Sequence, residues 1–236
     1  MAKKNGKDCM YLIWKQPVTR RQYVVGCLSK NGNFEFEYGV EIEKAAKDGF
    51  KLLIAFDDMK KKYSSARLFP TFSSRVPDRR RKDIRNILNK YGLDEYDEYQ
   101  LLKKSGGRLP IDSLEFIDPI LDNGEEPIER NFYIAGVRHY IGCENKGCDK
   151  SIDINVGEML HLELDIDNIY DKYAIKIINK NKQNIGYIPR YYSQQIHEFL
   201  TKGAKYTLEV LEVNKEANKC AECIRVHLNI NRRHSK

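Results

Sequence analysis

FYIAGVRHY at residues 132–140, DNIYDKYAIKI at 167–177 and IGYIPR at 185–190 form the stretch that decides how this chain is read. Each block couples a short apolar run of strand character to a knot of polar and aromatic residues. In the first, Phe132, Ile134 and Val137 are apolar, Gly136 interrupts them, and Arg138, His139 and Tyr140 then arrive together. A cation beside aromatic rings suits a polyanion with flat bases, because the charge meets phosphate and the ring meets a base face. In the second, Asn168, Tyr170, Asp171 and Lys172 crowd a turn ahead of the apolar strand 174–178. A carboxylate inside a basic, aromatic cluster repels phosphate and is better suited to accept a hydrogen bond from a sugar hydroxyl or a base edge.

In this order the blocks carry a family resemblance. The segment 131–230 resembles a HIRAN domain, a small modified OB-like β-barrel known from helicase-like DNA-repair translocases and from stand-alone bacterial proteins. AGVRHY, DNIYDKYAIKI and IGYIPR are followed by a helix predicted at 191–200 and by strands at 206–213 and 223–230, as in the family. The chain departs from the family at Ile169, usually proline, at Tyr173, usually asparagine, and in a longer, cysteine-bearing first loop. The resemblance implies a ligand, since the family members that bind DNA receive the 3′-hydroxyl end of a single strand here. Carried over by position, Arg138, His139 and Tyr140 hold the backbone and stack on a base. Asn168, Tyr170 and Asp171 contact the terminal nucleotide, with Asp171 on the 3′-hydroxyl. Tyr187 and Arg190 face phosphate, and Lys172 completes the nucleic-acid-binding set.

Upstream, YLIW, QYVVGCL and FEFEY read as a β-meander, with the Asn31-Gly32 hairpin signal between the last two. A helical turn is expected at 42–47 and a further strand in 50–56 (KLLIAF lies at 51–56), while residues 1–9 read as a frayed, lysine-rich lead. Pro77 opens a helix predicted over 78–91, which Gly92 ends. A second helix over 96–104 stops at Gly106-Gly107, and 113–117 returns as a strand. Leu68-Phe69-Pro70, Phe72, Arg75-Val76-Pro77, Leu101-Leu102 and Gly106-Gly107 make residues 10–120 similar to the N-terminal subdomain of HipA-type serine kinases. In that family the subdomain catalyses nothing and packs on the kinase core; as a separate piece it is associated with restraint of a kinase toxin. The resemblance therefore implies a HipA-type kinase as a partner and a toxin–antitoxin setting. The expected fold is α+β and mainly β. It comprises an N-terminal meander with two helices over 10–120, a turn-rich linker at 121–130, and an OB-like barrel with one or two helices over 131–230.

Composition narrows the function classes. The 236 residues allow two domains, each able to bury a core. Net charge is +7, shared between the halves: 24 basic against 20 acidic residues precede Pro127, and 17 against 14 follow. That balance permits contact with nucleic acid. The start MAKKNGKDCM lacks the apolar core of a signal peptide and no run of 18 apolar residues occurs, so a soluble, cytoplasmic protein without membrane partners is expected. No G-x-x-x-x-G-K-[ST] or paired-carboxylate constellation stands out, and the chain reads as a non-enzyme. The run Arg79-Arg80-Arg81-Lys82 reads as a solvated face or, alternatively, as a clamp for phosphate or an acidic partner. No cofactor or metal is expected. The alternative is a zinc knuckle of Cys143, Cys148, Cys220 and Cys223; against it, Cys223 falls where the last strand has begun.

Overall fold

Alternating apolar residues build the first sheet. In a computed structural model, which describes residues 3–4, 7–121, 127–140, 153–214 and 223–231, β1 (Lys3–Lys4), β2 (Lys7–Lys15), β3 (Gln22–Asn31), β4 (Asn33–Tyr38) and β5 (Tyr63–Ser65) pair in that order. β6 (Leu114–Ile117) pairs with β2, and every pairing is antiparallel. The β3–β4 turn hinges on Gly32, whose φ of +76° lies in the left-handed region that glycine tolerates. The chain divides into two compact units, Met1–Asn123 and Gly124–Lys236.

In the first unit, α1 (Ile42–Lys47), α2 (Pro70–Ser73), α3 (Ile84–Lys90) and α4 (Glu98–Ser105) accompany the sheet. The core is aromatic: Phe36 lies 4.4 Å from Phe56, Phe56 stacks 5.2 Å from Phe72, and Phe72 meets Phe116 edge-on at 5.0 Å. Two buried cations are paired. Arg75 makes a fork to Asp112 (2.7 and 2.8 Å) and donates to the Gly107 carbonyl at 2.7 Å. The Lys103 ammonium donates to Asp8 at 2.6 Å and lies 3.3 Å from Asp118.

Three sequence expectations fail here, each for a local reason. The apolar run 50–56 is a turn and not a strand. Phe50 and Phe56 anchor it in the core while Ile54 is fully exposed. The Tyr38 hydroxyl replaces the missing ladder, accepting from Leu53 N at 2.9 Å and donating to the Phe56 carbonyl at 2.6 Å. The helix expected from residue 78 starts only at Ile84, because Asp78 accepts from the Arg80 N–H at 2.8 Å and holds the chain in a side-chain turn. The lead is not frayed up to residue 9: β2 begins at Lys7, and Cys9 and Met10 are fully buried.

The second unit contains two three-stranded antiparallel sheets. β7 (Ile128–Tyr133) pairs with β12 (Ile224–Asn231), which pairs with β11 (Lys205–Val213). β8 (His161–Leu164), β9 (Ile175–Ile178) and β10 (Asn184–Tyr187) form the other sheet, with β9 central. In β12, Ile224, Val226, Leu228 and Ile230 are all fully buried, the period-two pattern of a strand facing a core. The expected mainly-β fold with two helices, α5 (Val137–Tyr140) and α6 (Arg190–Thr201), is present. The barrel, however, is not closed by continuous ladders. Isolated bridges at Ala135–Tyr187 and Met159–Glu209 link the two sheets. Among the described residues, no helix is long and apolar enough to cross a membrane.

Candidate nucleic-acid interface

The first and third sequence blocks meet at a glycine. Gly186 has φ of +146°, and a Cβ there would lie 2.6 Å from both the Ala135 carbonyl oxygen and Ile134 Cγ2. Its bare backbone lets Ala135 and Tyr187 exchange two N–H···O bonds of 2.9 Å. Beyond Ala135, Gly136 (φ +75°) turns the chain into α5, whose Val137 is buried. That turn leaves Arg138 half-buried and His139 and Tyr140 exposed. Arg138 Nε donates to His139 Nε2 at 3.2 Å, and the Tyr140 ring lies 5.7 Å from that of Tyr187, tilted by 59°.

The second block is a turn pinned by its own side chains. Asn168 Oδ1 accepts from the N–H groups of Tyr170 and Asp171, both at 3.0 Å, an Asx-turn that asparagine readily makes. Asp171 Oδ1 accepts from Tyr173 N at 2.9 Å, and its Oδ2 from the buried Ser193 hydroxyl of α6 at 2.8 Å. These bonds hold outward a tip on which Ile166, Ile169 and Tyr170 are all more than four-fifths exposed. The Lys172 ammonium lies 4.7 Å above the Tyr173 ring, and Tyr173 meets His197 of α6 at 5.5 Å. Arg190 is exposed at the first position of α6, after Pro189.

Beneath these residues lies Asp165. Its Oδ2 accepts from the Tyr187 hydroxyl at 2.9 Å and from Asn168 Nδ2 at 3.0 Å, and its Oδ1 lies 3.0 Å from the Lys176 ammonium. The Asn168 bond, followed by those of Lys176 and Tyr187, holds the Asp165 carboxyl below the usual carboxylate range against the opposing effect of burial. Burial, then the contacts with Tyr140 and Asp165, push the Tyr187 phenol well above its ordinary value.

The structure therefore connects the sequence-marked residues through contacts. Tyr140 reaches Tyr187, Tyr187 reaches Asp165, Asp165 reaches Asn168, and Asn168 holds the turn of Tyr170 and Asp171, which is tied to α6 through Ser193. Arg138, His139, Lys172 and Arg190 lie on these same elements. Sequence reading missed Asp165, Lys176 and Ser193. A hairpin register would have exposed Lys176, which stands opposite Glu163 on one side and Tyr187 on the other. Of the cysteines, Cys143, Cys148 and Cys220 lie outside the described residues. Cys223 is buried beside the start of β12, its carbonyl accepting from Asn214 N at 2.6 Å.

Residues 129–230 match the family model of the HIRAN domain, and residues 17–110 match that of the HipA N-terminal domain. Neither is a catalytic domain. The crystal structure of the HIRAN domain of human HLTF is similar at 23% identity, covering 45% of this chain and 79% of that one with a TM-score of 0.34. A crystal structure of a protein from Lactobacillus plantarum is similar at 19% identity, covering 45% of this chain and 97% of that one with a TM-score of 0.35. No protein of curated function matches the chain.

Proposed function

From a chain that joins a HipA N-terminal domain to a HIRAN domain, we propose a non-catalytic nucleic-acid-binding protein whose second unit captures the 3′ end of a single DNA strand. The observation that carries this reading is the contact chain from Tyr140 through Tyr187 and Asp165 to the Asn168–Asp171 turn, which joins aromatic rings and the Asp165 and Asp171 carboxylates on elements that also carry Arg138, Lys172 and Arg190. The exposed rings of Tyr140 and Tyr170 offer stacking faces, at ~1–3 kcal/mol per base. Arg138, Lys172 and Arg190 supply charge for phosphate. Asp171 has carboxylate lone pairs left after the bonds from Tyr173 and Ser193, so it can accept from a terminal hydroxyl. A 3′-phosphate at that point would meet a like charge and lose affinity.

Fluorescence anisotropy tests this with labelled single strands carrying a free 3′-hydroxyl, a 3′-phosphate or a hairpin-blocked end. Tight binding to the free end alone is expected, and Asp171→Ala should abolish the preference over 3′-phosphate. Equal binding of all three strands, or of none at low salt, would remove end capture. A DNA-repair setting would follow from end capture but is no part of its test.

The match at residues 17–110 supports a second, compatible reading, in which the first unit binds a HipA-type kinase as a regulatory or antitoxin-like partner. Co-purification with a kinase that lacks its own N-terminal subdomain tests it. Failure to bind any such kinase encoded nearby would leave this reading without support.

A further inference from the structure

Asp165 is a charged side chain only 12% exposed, and each of its oxygens is used. A carboxylate so withdrawn from water is stable only when donors surround it. Here they come from three places: Lys176 of β9, Tyr187 of β10 and Asn168 of the turn. Its backbone is fixed as well, with Asp165 N donating to the Ala174 carbonyl at 2.9 Å and its carbonyl accepting from Asn168 N at 3.2 Å.

Two consequences follow for neighbours that face solvent. A phenol has one proton to give, and Tyr187 gives it to Asp165, which fixes the direction of its hydroxyl and with it the placement of its ring. That ring is the one against which Tyr140 is tilted. Asn168, with its amide nitrogen committed to Asp165, must turn its carbonyl oxygen toward Tyr170 N and Asp171 N. One carboxylate therefore sets the orientation of an aromatic pair and the amide orientation that shapes the neighbouring turn.

We infer that Asp165 is the positioning residue of the nucleic-acid interface: it touches no ligand, and it holds the Tyr140–Tyr187 pair and the Tyr170–Asp171 turn in the mutual placement that receives a terminal nucleotide. This inference rests on the end-capture reading for its ligand, while the placement itself can be read without any DNA. It differs from an ordinary ion pair in what its loss should do. An ion pair that only stabilises would, when broken, lower the unfolding midpoint and leave end preference intact.

The test uses the full chain with tyrosine ring carbons labelled for NMR, as wild type, Asp165→Asn, Tyr187→Phe and a control, Asp153→Asn. The control breaks an ion pair to Lys180 (3.6 Å) in the same unit. In Asp165→Asn the Tyr187 phenol should titrate at lower pH, and the ring signals of Tyr140 and Tyr170 should shift without DNA. Affinity for a free-3′-end strand should fall by ~10-fold, the loss of hydrogen bonds to a charged group, and the preference over 3′-phosphate should shrink. Asp153→Asn should change none of these. Unchanged Tyr140 and Tyr170 signals, or unchanged affinity and preference in a wild type that binds, would overturn the inference. If wild type binds no DNA, end capture fails by itself, and the ring signals still decide whether Asp165 positions the surface. Should Asp165→Asn not fold, Tyr187→Phe removes one donor without touching the carboxylate, and the same signals and ratios are read.

Discussion

Two side chains and one missing side chain govern the site at the scale of residues. Gly186 is the missing one. Alanine there would combine a strained φ with a Cβ inside contact distance of backbone, so Gly186→Ala should cost about 3 kcal/mol. Urea denaturation followed by circular dichroism checks the cost, and faster amide exchange at Ala135 and Tyr187 would show that the bridge between the sheets has opened. Ser193 is the quieter partner of Asp171. Removing its hydroxyl in Ser193→Ala strips one donor from the carboxylate, at ~1 kcal/mol of stability. Preference for a free 3′ end should weaken but not vanish, because Tyr173 N still holds the other oxygen. Complete loss would mean that Ser193 itself meets the ligand. The surface residues of the site were legible in the sequence because they stand in contiguous blocks. Asp165, Lys176 and Ser193 were not, because their roles depend on cross-strand register and on where α6 packs, neither of which a linear pattern displays.

Elements that were legible had their ends written in them. Helix α4 is capped by Asp97, whose Oδ1 accepts from Tyr99 N at 2.8 Å and Gln100 N at 3.1 Å, and it stops at Gly106 with φ of +78°. Asp97→Ala should lower stability by about 1 kcal/mol in thermal or chemical unfolding. One failure came where apolar content was mistaken for pairing. In 50–56 two phenylalanines are anchors and the residues between them a loop, a choice made by Tyr38 from another strand. Ionisation also acts at this scale. Burial raises the proton affinity of Asp112, but its bonds from Arg75 and from Leu114 N outweigh burial, and its carboxyl stays below the ordinary value. A group depressed on folding stabilises fully above its unfolded pKa of ~3.9 and loses that contribution as pH falls through the folded value. Acid unfolding curves should therefore be less steep below about pH 4 in Asp112→Asn than in wild type. The variant should also be less stable at neutral pH, where Arg75 loses a charged partner.

Charge is a property of the whole molecule, and here it is divided almost evenly. A net +7 spread over both halves would let either unit attract a polyanion. Part of that charge is committed to neighbouring carboxylates. In the run at residues 79–82, Arg80 pairs with Asp78 and Arg81 with Asp83, each through two nitrogens with bonds of 2.8 to 3.0 Å, and Arg79 lies over the Tyr96 ring. Two of the four cations of that run are therefore paired with near neighbours in sequence, which halves the charge the clamp reading has to work with. Arg138, Lys172 and Arg190, by contrast, stand on the elements that carry the candidate interface. If these three meet phosphates, log affinity against log salt should fall with a slope of about −2, at ~0.7 per phosphate for a single strand. Arg190→Ala should reduce the slope by ~0.7, whereas the double replacement Arg80→Ala, Arg81→Ala should leave it unchanged. A shallower slope in the double variant would instead place the first unit on the DNA, and the strand would then have to be longer than a terminal nucleotide and its neighbours to be held at full affinity. Titrating binding against strand length in both variants separates a site confined to one unit from one that spans the chain.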